Sequence, residues 1–374
     1  MAVLRHEKPE WIPVWCTVDP YNQPSREDMD PELRKALTEK IQWRDGSGAI
    51  LSRYLGLDII DRFGPPIASK RRRVVVETIE KPNGWSTVYK TPCGELREVY
   101  ARAESTSMPY CQEHLIKSAA DLPALASVFE DEEFYLANGA RDSVQQRKAQ
   151  VGDQGLIEGN LPGTPLGMMV RVHSGVETLA YLWNDARSEL HSLFKVMEEN
   201  HLRRFRLAAS LGYDILTGMD DTSTTAISPA MFAEFCLGYT DRIADAVHAY
   251  GAFYAHHSCG LIRNLLPLYR QTKMDAVDAL CLKPTGDLNS ITEAKALLGP
   301  RITIKAAVQQ LRGNMDNHAV VAASIAQMFR DAAPGADIIF GMAGEPNRKM
   351  ADHKFVAQEC IKHQRDYSVM AAQP

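Results

Sequence analysis

The chain has 374 residues, 45% of them hydrophobic, and a formal net charge of −5. That balance supports a large core and offers no overall basic field for nucleic acid. No apolar run reaches the roughly 18 residues of a membrane helix, and the charged, proline-containing stretch Met1 to Pro13 lacks a signal peptide's apolar centre, so a soluble, cytoplasmic protein without membrane or nucleic-acid partners is expected. Seven cysteines without CxxC spacing argue against a disulfide framework.

In chain order, Trp11-Ile12-Pro13-Val14-Trp15 reads as a short extended entry. Asp30 to Trp43 reads as a helix, with Leu33, Leu37 and Ile41 spaced by four. Three β-type runs follow, Val74 to Ile79, Trp85 to Tyr89 and Glu95 to Tyr100. They are separated by the turn-forming clusters Lys81-Pro82-Asn83-Gly84 and Thr91-Pro92-Cys93-Gly94, which predicts an antiparallel meander over 71–101, inserted as a flap. The basic triplet Arg71-Arg72-Arg73 reads as a solvated strand start.

From about residue 150 strands and helices alternate. The expected strands are Gly155–Gly159, Asp214–Met219, Ala252–His257, Ala276–Leu282, Ile302–Ala306 and Ala336–Phe340, with helices such as Ser228–Tyr250 and Ile291–Leu298 between them. This alternation implies parallel strands with crossover helices. With the N-terminal portion, the units suffice to close one (β/α)8 TIM barrel over residues 1–374, carrying an N-terminal extension that contains the meander. An open doubly wound sheet is disfavoured, because neither GxGxxG after a first strand nor GxxxxGK[ST] is present.

Polar groups gather where these strands end, which is where such barrels build their sites. They include Glu158 and Asn160, Asp220 and Asp221, His257 and Cys259, Cys281 and Lys283, Lys305, and Glu345 after a glycine-rich turn. Ser228 followed by Pro229 is a good helix start, so Asp220 and Asp221 have no obvious capping role. His257 and Cys259, two residues apart, point to the same side of an extended chain and are ligand types that zinc prefers. Zinc needs at least one further protein ligand, and Glu345, Asp220, Asp221, Glu158 and Cys281 are candidates. A core histidine beside a buried thiol is the plain alternative.

The stretches Gly212-Tyr213-Asp214 through Asp220-Asp221-Thr222, Ile227-Ser228-Pro229 with Phe232 and Phe235, His257-Ser258-Cys259-Gly260, Leu265-Leu266-Pro267-Leu268 and Asp287-Leu288 together resemble the uroporphyrinogen decarboxylase-like superfamily. The resemblance covers most of the chain and implies a single (β/α)8 barrel. Porphyrinogen decarboxylases in that superfamily carry an arginine-rich N-terminal motif of the type RPVWxMRQAGR. Here the stretch reads Ile12-Pro13-Val14-Trp15-Cys16-Thr17-Val18-Asp19 and lacks those arginines.

The chain is more similar to the corrinoid-linked methyltransferase branch, which binds zinc through an HxC motif and a later cysteine. His257 and Cys259 match the motif, whereas the later cysteine, expected near Gly341 to Gly344, is absent. The resemblance therefore implies zinc on His257 and Cys259, with Glu345 or an upstream acid completing the set, and catalytic roles for Asp220, Asp221 and Glu345. It extends to O-demethylases, in which a methoxylated aromatic gives its methyl group to cobalamin on a partner corrinoid protein. Trp15, Glu158, Asn160 and Met342 are the expected substrate-binding residues, with Tyr21 and Trp85 as further aromatic walls, and the meander is a candidate docking rim. Methyl transfer from a thiol or methylamine, a metal-independent decarboxylase of a small acid, and a non-catalytic binder of a corrinoid protein or tetrapyrrole are the alternatives. Self-association as a homodimer stays open.

Overall fold

The computed structural model of the chain describes residues 1–17, 29–39, 47–103, 109–308, 315, 317–333, 337–343 and 349–370. Tyr21, Gly344 and Glu345 lie outside these segments. The strands in chain order are β1 (Val14–Thr17), β2 (Ile59–Phe63), β3 (Ile67–Lys70), β4 (Val75–Lys81), β5 (Gly84–Thr91), β6 (Gly94–Arg102), β7 (Pro109–Glu113) and β8 (Glu133–Leu136). They continue with β9 (Gly155–Pro162), β10 (Ile215–Met219), β11 (Phe253–His257), β12 (Ala276–Leu280), β13 (Thr303–Val308) and β14 (Ile338–Ala343).

Eight of these strands, in the order β1-β14-β13-β12-β11-β10-β9-β2, form one parallel sheet. It curls until Trp15 and Asp58 meet in a parallel bridge, with the Asp58 amide donating to the Val14 carbonyl at 2.8 Å. The expected α/β barrel is therefore present, and the short extended entry at Trp15 is its first strand. The meander is there too, but with a fourth strand: β4-β5-β6-β7 run antiparallel, and β3 pairs β8 beside them. Both small sheets sit in the long connection from β2 to β9. Among the described residues no helix is long and apolar enough to cross a membrane.

Strand parity decides what the barrel presents. On β14, Ile338, Phe340 and Met342 belong to the apolar layer under the helices, while Ile339 faces the bore with Trp15, Ile60, Ile215, Ala255 and Ala276. Each such buried aliphatic or aromatic side chain contributes about 1.5–3 kcal/mol, so a register slip that exchanged the faces is strongly opposed. Met342, expected on a substrate wall, is corrected by this parity: it is fully buried on the helix side. Val3 and Leu4, on an N-terminal 3-10 turn, plug the bottom of the bore, and the Thr303 hydroxyl donates to the Val3 carbonyl at 3.2 Å. A cavity of about 300 Å³, lined by Val3, Trp11, Trp15, Ile60 and Ile339, lies at that end.

The helices obey their local signals. The Ser228 hydroxyl accepts the Met231 amide at 3.2 Å and Pro229 opens the helix Pro229–Phe235. The chain breaks at Cys236 and resumes as Leu237–His248, so the pattern over 228–250 is two helices rather than one.

Candidate functional site in the barrel bore

Above the apolar floor, the next inward residue is polar on six of the eight strands: Arg62 on β2, Glu158 on β9, Thr217 on β10, His257 on β11, Asp278 on β12 and Lys305 on β13. These side chains form one connected layer. Lys305 Nζ lies 2.9 Å from Glu158 Oε2 and 2.8 Å from Asp278 Oδ1. Arg62 donates to Glu158 Oε1 at 2.7 Å and to both Asp278 oxygens at 3.1 Å, and Thr217 donates to Glu158. Trp15 is the base of the layer, its ring 4.8 Å from the Arg62 guanidinium carbon and 5.4 Å from Lys305 Nζ.

Two cations and two carboxylates, nearly all shielded from water, balance one another. Burial alone would raise both carboxyl groups, but Arg62 and Lys305 outweigh it, holding Glu158 below its ordinary range and Asp278 well below. Regular alternation after Ala276 turns Asp278 into the bore, and a one-residue irregularity in the β12–β13 pairing just beyond it, where Ala279 takes φ 63°, returns Leu280 to the helix side. A non-glycine residue in that region is strained, which marks the bulge as a device that aims a side chain.

His257 stands at the upper edge of the layer. Its Nδ1 bonds Asp278 Oδ2 at 2.7 Å, and the imidazole also hydrogen-bonds Cys259. Burial works against a charged ring, yet Asp278 and Cys259 prevail and raise His257 to about 9. Cys259 is an exposed free thiol just beyond the end of β11, within hydrogen-bonding reach of the His257 ring. His256, by contrast, turns outward into a buried cluster with Thr222, Phe232 and Tyr269.

The two aspartates after β10 differ. Asp220 is buried and accepts the amides of Thr164 at 2.8 Å and Asp221 at 2.9 Å, bracing the loop after β9 against the loop after β10. Gly163 and Gly167 let it do so: a Cβ on Gly167 would stand 1.5 Å from Asp220 Oδ1. Asp221 is half-buried; burial and Asp220 raise its carboxyl, opposed by Arg171 and His257. Cys281 is buried and donates to the Ala279 carbonyl at 3.1 Å. Among the described residues no three His, Cys, Asp or Glu side chains gather closely enough to hold a metal ion.

The structure thus joins Trp15, Glu158, Lys305, His257 and Cys259 in one region and adds Arg62 and Asp278, which the sequence did not single out. Arg62 comes from a strand that starts 96 residues before β9, and nothing local marks it. Asp278 reads as part of an apolar strand until the balancing cations are seen.

A comparison with curated proteins finds no match. Among solved structures, the fold is similar to a methyltransferase from Methanosarcina mazei, at 14% identity and a TM-score of 0.60, over 98% of this chain and 97% of that one. A B12-independent methionine synthase from Shewanella sp. W3-18-1 is similar at 9% identity and a TM-score of 0.48, over 96% of this chain and 98% of that one. Such identities speak for the fold alone. The sequence profile of uroporphyrinogen decarboxylase (URO-D) matches residues 99–339, a segment that contains Glu158, Thr217, His257, Asp278 and Lys305. With most of the chain and most of the polar layer inside that match, the protein belongs to the URO-D family.

Proposed function

We propose that the chain is a methyltransferase that moves a methyl group from a small donor, a methoxylated aromatic, to the corrinoid of a partner protein, with zinc held by His257 and Cys259. The observation that carries this reading is the His257–Asp278 bond of 2.7 Å. Histidines that ligate metal typically give their other ring nitrogen to a carboxylate, which fixes the tautomer and aims the ring. Asp278 occupies that position while Lys305 and Arg62 hold it ionised and in place. Imidazole and thiolate suit zinc, and the third ligand would be Glu345, which lies outside the described residues. When bound, zinc would supply a Lewis acid that stabilises negative charge on the departing oxygen. A site with one thiolate keeps more Lewis acidity than a thiolate-rich one, which favours an ether over a thiol as donor.

This chain's own residues would do the rest. The layer of Arg62, Glu158, Asp278 and Lys305 keeps His257 oriented, and the loop braced by Asp220 holds Asp221 within electrostatic reach of His257. A metal-free decarboxylase needs a cation for the carboxylate of its substrate. Arg62 and Lys305 are each shared between Glu158 and Asp278, and this internal neutralisation weighs against that reading. The test is to incubate the zinc-supplied protein with guaiacol and chemically reduced cobalamin and to follow catechol by liquid chromatography. Catechol production that His257→Ala abolishes is expected. Release of carbon dioxide from aromatic acids with no demethylation of any methoxyarene would overturn the proposal.

A further inference from the structure

Strand β9 sends Leu156 towards the floor, Glu158 into the ionic layer and Asn160 one step nearer the mouth, beside Thr217 in register. The neighbours on the other parity confirm the direction, since Ile157 and Leu161 lie in the helix-side core and a Cβ on Gly159 would meet Leu216 and Tyr213. The Asn160 Oδ1 atom is buried and has no hydrogen-bond partner among the described residues. A buried acceptor without a donor is costly and in native proteins calls for a partner.

In the layer beneath, Arg62 Nε and Trp15 Nε1 keep unpartnered N–H groups, but neither reaches Asn160 Oδ1. The Thr217 hydroxyl is given to Glu158, Lys305 bridges Glu158 and Asp278, and Arg62 does the same. By strand parity Asn160 lies on the mouth side of that layer, towards the end of the bore that also holds His257.

Resting on the methyltransferase reading above, we propose that Asn160 is a specificity-determining residue that accepts a hydrogen bond from a hydroxyl on the ring of the methyl donor, so that the substrate class is methoxyphenols rather than plain aryl ethers. The ring body would sit over the layer, with the methoxyl towards His257 and Cys259 and the hydroxyl towards Asn160. An aryl ether without the hydroxyl would leave Oδ1 unpaired on binding, and discrimination by an unmade buried hydrogen bond is steep.

The experiment is isothermal titration of the full chain with guaiacol (methoxyl and hydroxyl), anisole (methoxyl alone) and catechol (hydroxyls, no methyl). Guaiacol and catechol are expected to bind about tenfold or more tightly than anisole, the scale of one such bond, although anisole is the more apolar. In Asn160→Leu that preference should vanish. Equal binding of guaiacol and anisole by the parent would overturn the inference, as would a hydroxyl preference that survives in Asn160→Leu; the parent comparison stands even where the variant does not fold. Hydroxyl-dependent binding through Asn160 without demethylation would support this inference and sink the methyltransferase reading, and no binding of any of the three would sink both.

Discussion

Replacing Lys305 with Met tests the balanced layer in the bore. The substitution keeps an unbranched side chain of similar length but removes the cation that lies 2.9 Å from Glu158 and 2.8 Å from Asp278. At about 3 Å and an effective dielectric constant near 20, each attraction is worth about 5 kcal/mol before desolvation is subtracted. What remains is Glu158 left to Arg62 as its one charged partner, while Asp278 keeps Arg62 and the charged His257 ring. Breaking a buried pair in this way costs about 3–5 kcal/mol. Glu158→Gln alone should cost a similar amount, because it strands a cation instead. Together, Lys305→Met and Glu158→Gln remove one charge of each sign, so the double variant should recover at least half of the summed loss. Urea denaturation of the four proteins, followed by tryptophan fluorescence, supplies the cycle. A double variant as unstable as the sum of the singles would refute the claim that charge balance, rather than packing, governs this layer.

Two further outcomes follow from the same geometry. Gly167→Ala should destabilise the chain by about 1–3 kcal/mol, because its Cβ would overlap Asp220 and unseat the brace on Thr164; an unchanged thermal melt would show that the loops do not depend on that contact. Burial, with smaller contributions from neighbouring cations, lowers His173 to about 4 and His201 to about 3, so both rings stay neutral in the folded chain while the unfolded chain protonates them near 6.5. Between those values the unfolded state binds more protons, and stability is lost as pH falls, by up to about 1.4 kcal/mol per unit for each ring. His173 packs edge-on against Phe129, so His173→Phe should fit the site and remove its share of the slope between pH 6 and 5. Parallel stability profiles for the parent and this variant would show that His173 does not titrate differently on unfolding.

Periodicity was enough to reveal the barrel, because alternating strands and helices leave few topologies open. Hydrophobic pattern also located the strands that carry Glu158, His257 and Lys305, although Glu158 and Lys305 lie within their strands and not at the ends. It could not fix which face each strand turns inward. Met342 follows a glycine at the end of a strand, and only the pairing of β1 with β14 shows that it points to the helices. The strand Pro109–Glu113 is missed for a different reason, being short, started by proline and half exposed. Arg62 and Asp278 carry no local signal at all. One is separated from its nearest partner in the layer by the whole flap insertion, and the other is a lone acid within an apolar run. Asp220 has a bracing role visible only when the glycines across the gap are in place.

The central claim is that His257 and Cys259 form a zinc site oriented by Asp278. Zinc content by mass spectrometry, on protein purified without added metal and again after zinc exposure, tests it most directly for the parent, His257→Ala with Cys259→Ala, and Asp278→Asn. The account predicts about one zinc per chain in the parent, none in the double variant, and an affinity reduced about 10–100-fold in Asp278→Asn. A parent that stays free of zinc even after exposure, or a double variant that retains it, would contradict the account.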